Sequence, residues 1–311
     1  MEKQPTPTKV YQNHHLDSSR WDTYEPRSDD VVITTAYKSG TTWTQDIFYE
    51  LIHGDDAEPL PRKLANVWPD AVFLPVDKAG LKQWLANLPK QRYIKSHLPL
   101  DGLPYFPEVK YVVVCRDPRD VFMSFYNHFS RYTDEFYDNL NNPVKLVGEP
   151  LPRCPEDIRE AWKSWISEGW FPWESEGFPF WSNLHHTQTY WDFKHLPNIK
   201  FMHYNDMLDD LEGAVRELAG FANIEVDNDK VNRVVTATTF EAARERAISE
   251  QDTSQPQTFK GGAGSFYFKG SNGRWRDILT EEDLKLYDQA MNRVLSPDCA
   301  AFLENGRSAL T

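Results

Sequence analysis

The chain has 311 residues, 40% hydrophobic and 26% charged, and its 34 Lys and Arg against 47 Asp and Glu give a formal net charge of −13. This is enough apolar material for a large core in one α/β domain or two smaller ones, and it excludes disordered, collagen-like and low-complexity classes. The acidity excludes a general binder of nucleic acid or anionic membrane, because its field repels polyanions, but it leaves room for a local basic pocket.

The polar amino terminus, MEKQPTPTKVYQ, has no apolar h-region, so no secretory signal is expected, and residues 1–28 read as an amino-terminal arm. Short β-rich runs then alternate with helical stretches, the pattern of a central, mainly parallel sheet flanked by helices in a single α/β domain over 1–311. The first strand is expected over Val31–Tyr37 and leads into a helix over Thr42–His53. Strands follow at Arg92–Lys95, Tyr111–Arg116 and Lys200–Tyr204; the unbroken apolar character of VVIT and YVVVC implies burial on both faces. Further helices are expected over Arg119–Arg131, Asp157–Glu168, Asn183–Lys194, Met207–Phe221 and Glu282–Val294, the last entered through a capping-box-like Thr280-Glu-Glu-Asp283. Residues 133–156 read as a surface loop. Residues 249–275 combine glycines with Lys260, Lys269, Arg274 and aromatic rings, which suits a flap that orders over an anion. Cys115, Cys154 and Cys299 are odd in number, far apart and without a CxxC, so neither a disulfide framework nor a zinc site is expected. No apolar run reaches the ~18 residues of a membrane span. A soluble, cytoplasmic protein is the expectation.

The most informative segment is the first strand–loop–helix. Lys38-Ser39-Gly40-Thr41-Thr42 joins a buried strand to an amphipathic helix. Small residues let backbone amides curl around an anion, the helix start adds its positive dipole end, and Lys38 supplies a full charge. This is a P-loop-like nucleotide site in architecture; a plain turn with a solvated lysine is the competing reading. It is not a Walker A motif, because Lys38 precedes Gly40 instead of following a second glycine.

TTAYKSGTTW closely resembles the 5′-phosphosulfate loop of cytosolic sulfotransferases, usually Y-P-K-S-G-T-T-W, enzymes that use 3′-phosphoadenosine 5′-phosphosulfate (PAPS) and release 3′-phosphoadenosine 5′-phosphate (PAP). Three more blocks agree in order: KSHLPL at 95–100, CRDPRDVFMSFYNHF at 115–129, and FKGSNGRW at 268–275. The resemblance, closest to bacterial members, implies a transfer of the sulfuryl group from PAPS to a hydroxyl. It implies that Lys38, Ser39, Gly40, Thr41 and Thr42 cradle the 5′ end, that Trp43, Tyr204, Thr238 and Phe240 form the adenine pocket, and that Arg116 and Ser124 hold the 3′-phosphate with Lys269 and Gly270 of the flap. Tyr37 replaces the usual proline, Ser96 a threonine, and Phe268 the arginine of R-K-G, so Arg274 or Lys260 is expected to supply that charge. The K-x-x-x-T-V-x-x-x-E dimer segment is not found, which leaves oligomeric state unassigned.

His97 is the expected general base, with Lys95 and Lys38 offsetting charge on the departing phosphate; no metal is expected. The adjacent pairs His14-His15 and His185-His186 are expected to point apart, as neighbours do in regular structure. Aromatic residues between Trp162 and Trp191 suit either an acceptor cleft or core. Trp68, Phe73, Tyr126, His128 and Phe129 are the candidate acceptor contacts, for a small or lipidic hydroxyl compound such as a phenol, sterol, alkyl alcohol or glycolipid. Two other readings stay open: a magnesium-dependent nucleotide kinase, and a non-catalytic PAPS or PAP sensor.

Overall fold

The computed structural model describes residues 4–310 apart from 90, 145, 252–256 and 268–269. Four strands, β1 (Val31–Thr35), β2 (Tyr93–Ser96), β3 (Lys110–Cys115) and β4 (Ile199–His203), form one sheet in the order β2-β1-β3-β4. Every pairing is parallel, with Val32 opposite Ile94 and Tyr111, and Val112 opposite Lys200. All four carboxyl ends therefore open on one edge, where open α/β sheets bind ligands.

Burial explains the unbroken apolar runs. All five residues of β1 are buried. Successive side chains alternate between the two cores: Val31 and Ile33 pack with Phe48, Val215 and Val231, while Val32 packs with Ile94, Phe122 and Trp162. Helices Thr41–His53, Leu211–Phe221 and Asn228–Ala237 cover the first face; Pro118–Phe129, Ile158–Ser167, Asn183–Trp191 and Glu281–Val294 cover the second. The amino-terminal arm is part of this second core. Tyr11, Leu16, Trp21 and Tyr24 are all buried, and such side chains stabilise by about 1.5–3 kcal/mol each, which ties the segment down.

Several boundaries differ from the sequence reading. β1 stops two residues early, because Lys38 takes a left-handed backbone (φ 62°) that no strand continues through. Within 133–156 a helix forms over Asp134–Leu140, capped by the Thr133 hydroxyl accepting from the Phe136 amide. The expected helix Met207–Phe221 is two helices, Tyr204–Asp209 and Leu211–Phe221, divided at Asp210, whose carboxylate accepts from the Gly213 amide. Helices over Lys78–Asn87, Asn228–Ala237, Phe240–Ser249 and Pro297–Asn305 were not anticipated. The capping box at Thr280 and Asp283 forms as expected. Among the described residues no helix is long and apolar enough to cross a membrane, and no cluster of three His, Cys, Asp or Glu could hold a metal.

Candidate active site

A cavity of about 350 Å³ opens at the carboxyl edge of β2, β1 and β3. Its floor is the β1–helix junction. Gly40 precedes the Thr41–His53 helix in a left-handed conformation (φ 115°), supplies no capping side chain, and the first turn holds no acidic residue. The first-turn amides are thereby left for an external anion. A Cβ at Gly40 would stand 3.1 Å from the Tyr204 ring, so close packing and backbone conformation both call for glycine. Lys38, Gly40, Thr41 and Thr42 line the cavity, whereas the Ser39 side chain turns into protein and is 1% exposed.

Among the described residues, Lys38, Lys95, Arg116 and Arg274 reach this cavity. The one carboxylate in its wall among the described residues, Asp46, is already engaged by Arg62 at 2.8 Å and Arg246 at 2.7 Å. Among the described residues no carboxylate pairs with Lys38, Lys95 or Arg116. Lys38 instead donates to His128 Nδ1 at 3.2 Å and sits 4.0 Å from the Phe266 ring centre; Lys95 sits 3.7 Å from that of Trp68. Burial, then the neighbouring Lys95 and Arg116 charges, lowers the Lys38 ammonium to about 7, and burial lowers Lys95 to about 8. Partly desolvated cations with no carboxylate to offset them are costly, so this site fits an anionic ligand.

His97 follows β2 and is 5% exposed. Its Nδ1 donates to the Thr35 carbonyl at 2.8 Å, which fixes the tautomer and leaves Nε2 as the bare nitrogen. Burial, and then the Lys95 charge, pushes the ring well below its ordinary range, so it is neutral at pH 7. Trp68 and Trp181 flank it, with ring centres at 5.1 and 5.7 Å.

Arg116, just past β3, stacks 4.2 Å from the Tyr204 ring centre; its Nη1 donates to the Lys38 carbonyl at 3.3 Å and its Nε to Asn272 Oδ1 at 3.1 Å. Ser124 lines the same end. Trp43 meets Tyr204 edge-on at 5.4 Å and its indole N–H donates to the Thr238 carbonyl at 2.8 Å. The Thr238 hydroxyl is spent on Val234 O, so this residue serves as a wall that fixes Trp43. Phe240 and Gly270 close that side; a Cβ on Gly270 would come within 3.0 Å of the Phe240 ring. Lys269 and Phe268 lie outside the described residues. Arg274 reaches the cavity, while Lys260 is exposed, its amide donating to Arg131 O.

Of the acceptor candidates, Trp68, Phe73 and His128 line the cavity and two do not. Tyr126 points away, its hydroxyl donating to Glu156 O at 2.6 Å, and Phe129 is core, 2% exposed and stacked on Phe125. Trp162 and Trp165 are fully buried core. Residues missed from sequence are His15, Tyr132, Phe136, Phe180, Trp181 and Phe266, all in the cavity wall. Two signals were available, the HH pair at 14–15 and the aromatic stretch between Trp162 and Trp191, which holds Phe180 and Trp181. The rings of His14 and His15 do not point apart, because the pair lies in irregular backbone; the two Nδ1 atoms meet.

The sulfotransferase domain family profile matches residues 28–297. A glycolipid sulfotransferase of Mycobacterium tuberculosis is 28% identical over 319 residues, covering 96% of this chain and 94% of its own. Human sulfotransferase 1E1 is 25% identical over 285 residues, 87% of each chain. A mouse sulfotransferase structure complexed with PAP shares the fold, with a TM-score of 0.67 at 20% identity over 92% of this chain and 91% of the other.

Proposed function

Because the chain belongs to the sulfotransferase domain family and is a PAPS-dependent sulfotransferase, we propose that it transfers the sulfuryl group of PAPS to a hydroxyl of a small or lipidic acceptor, with His97 as general base. The observation that carries this reading is the set of carboxylate-free cations Lys38, Lys95 and Arg116 in the cavity wall at one sheet edge, beside a neutral imidazole. That set suits a nucleotide with two anionic ends and an attacking alcohol.

In this reading the Lys38–Thr42 loop holds the 5′ end through its amides, the Thr41 and Thr42 hydroxyls and the Lys38 ammonium. Arg116 and Ser124 hold the 3′-phosphate, with Lys269 and Gly270 and the charge of Arg274. Trp43, Tyr204, Thr238 and Phe240 enclose the adenine. The donor supplies an activated sulfuryl group. His97 takes the acceptor proton at Nε2 while Thr35 holds Nδ1. Lys38 and Lys95, both in the cavity wall, stabilise negative charge on the oxygen that leaves with phosphate. The family's glycolipid-acting relative and the aromatic wall of Trp68, Phe73, Phe180 and Trp181 support an acceptor with an apolar part.

Incubation with radiolabelled PAPS and a panel of phenols, sterols, alkyl alcohols and glycolipids, with and without EDTA, tests this. Labelled product insensitive to EDTA is expected. Magnesium-dependent transfer from ATP would favour a kinase, and PAP binding without transfer to any acceptor would favour a sensor.

A further inference from the structure

The acceptor end of the cavity holds two polar atoms that the reaction above does not use. His14 Nε2 lies 2.9 Å from the Pro179 carbonyl, which only accepts, so Nε2 carries the His14 proton. Burial lowers His14 to about 3, so the ring is neutral and its Nδ1 is bare. His15 Nδ1 touches that bare nitrogen and must donate to it. His15 is itself held neutral by burial and by the nearby His14, so its Nε2 is left as a hydrogen-bond acceptor. That atom is buried and has no partner among the described residues. The indole N–H of Trp181 is likewise buried and unpartnered.

Both side chains line the cavity. Trp181 neighbours both histidines, its ring centre 5.9 Å from that of His15 and 5.7 Å from that of His97. A buried polar group without a partner costs about 1–3 kcal/mol, and one that faces a cavity is placed to be completed by what enters it. The atoms are of opposite kind: one accepts a proton and one donates. A hydroxyl satisfies both, whereas an ether or carbonyl satisfies Trp181 alone and an alkyl group neither. The rings that shield His15 include Phe73 and Phe136, which are only partly buried and able to yield to a ligand.

We propose that His15 and Trp181 form a second hydroxyl-recognition subsite, so that the acceptor is a glycoside-like polyol that places one hydroxyl on His97 and another on His15. This rests on the sulfuryl-transfer reading of the same cavity and narrows its acceptor class. His15 is here a specificity-determining residue and takes no proton from the reacting oxygen.

The test measures binding to donor-free enzyme by tryptophan fluorescence, with octyl β-glucoside as the polyol probe and octanol as the single-hydroxyl probe. PAP affinity is measured on the same samples. His15→Phe keeps ring volume and removes the acceptor atom; His15→Gln keeps an oxygen near the Nε2 position. Octyl glucoside is expected to bind His15→Phe roughly tenfold to a hundredfold more weakly, with octanol changing less than twofold and His15→Gln recovering most of the glucoside affinity. Equal losses for both probes would mark His15 as merely structural, and an unchanged or absent glucoside affinity in the wild type and His15→Phe would equally overturn the subsite. Loss of PAP binding by the wild type would instead overturn the sulfotransferase reading, so the two failures are separable.

Discussion

The chemistry proposed here turns on three nitrogen atoms whose protonation burial has set in advance. His97 is neutral with Nδ1 committed to Thr35, so its replacement removes the base and little else. His97→Ala is expected to lower kcat by roughly 10²–10⁴-fold and leave calorimetric PAP affinity within about twofold; turnover near that of the wild type would take His97 out of the role. The two lysines titrate at lower pH than ordinary surface lysines. With Lys38 lowered to about 7 and Lys95 to about 8, both lose protons as pH rises through this range in the free protein. A bound anion favours the charged forms and raises both values again. PAP binding at pH 8 is therefore expected to take up protons, and its affinity to fall as pH rises from 6.5 to 9. Calorimetry in two buffers of different ionisation enthalpy reads the uptake directly; a buffer-independent enthalpy at pH 8 would contradict it. Lys38→Ala should weaken PAP binding and remove the larger share of that uptake, because at pH 8 Lys38 is the more fully deprotonated of the two.

Among the elements, the β1–helix junction combines two positive-φ residues, Lys38 and Gly40, and was also the most legible. Its residues act through local backbone, so Lys38 to Thr42 could be read from order and type alone. Gly40→Ala forces a side chain into φ 115° and against Tyr204. A loss of about 1–3 kcal/mol in stability, together with weaker PAP binding, is expected from denaturant unfolding and calorimetry. Gly220→Ala, in the Leu211–Phe221 helix with nothing within 4 Å, is the control and should stabilise by about 0.5–1 kcal/mol. The Pro118–Phe129 helix was read less well. Ser124 and His128, one turn apart, both line the cavity, as helical periodicity requires. Tyr126 sits two positions from each and must face away, so the same periodicity already argued against it. His15 and Trp181 could not be found this way. They come from irregular segments over 160 residues apart in the chain, and only the folded core brings them together.

For the molecule as a whole, the sheet order explains why distant blocks of sequence meet. Lys95 and His97 leave β2, Lys38 leaves β1 and Arg116 leaves β3, all at one edge, while the acidic surplus of the chain lies elsewhere. The α/β class was readable from alternating strands and helices; the strand order was not, because pairing partners are set by packing. Filling the cationic cavity should raise the melting temperature. PAP at about 100 times its Kd contributes about 2.7 kcal/mol, enough for a shift of several degrees in a thermal scan, whereas ADP at the same concentration should give a clearly smaller one. Equal shifts would contradict the assignment of Arg116 to the 3′-phosphate. Neighbouring parallel strands are spaced ~4.8 Å apart, so β1 holds the ends of β2 and β3 at about twice that stride. The backbone thus works as a caliper. It gauges the distance between anionic groups on opposite sides of a ribose, and a nucleotide whose phosphates are strung along one side closes only one of its jaws.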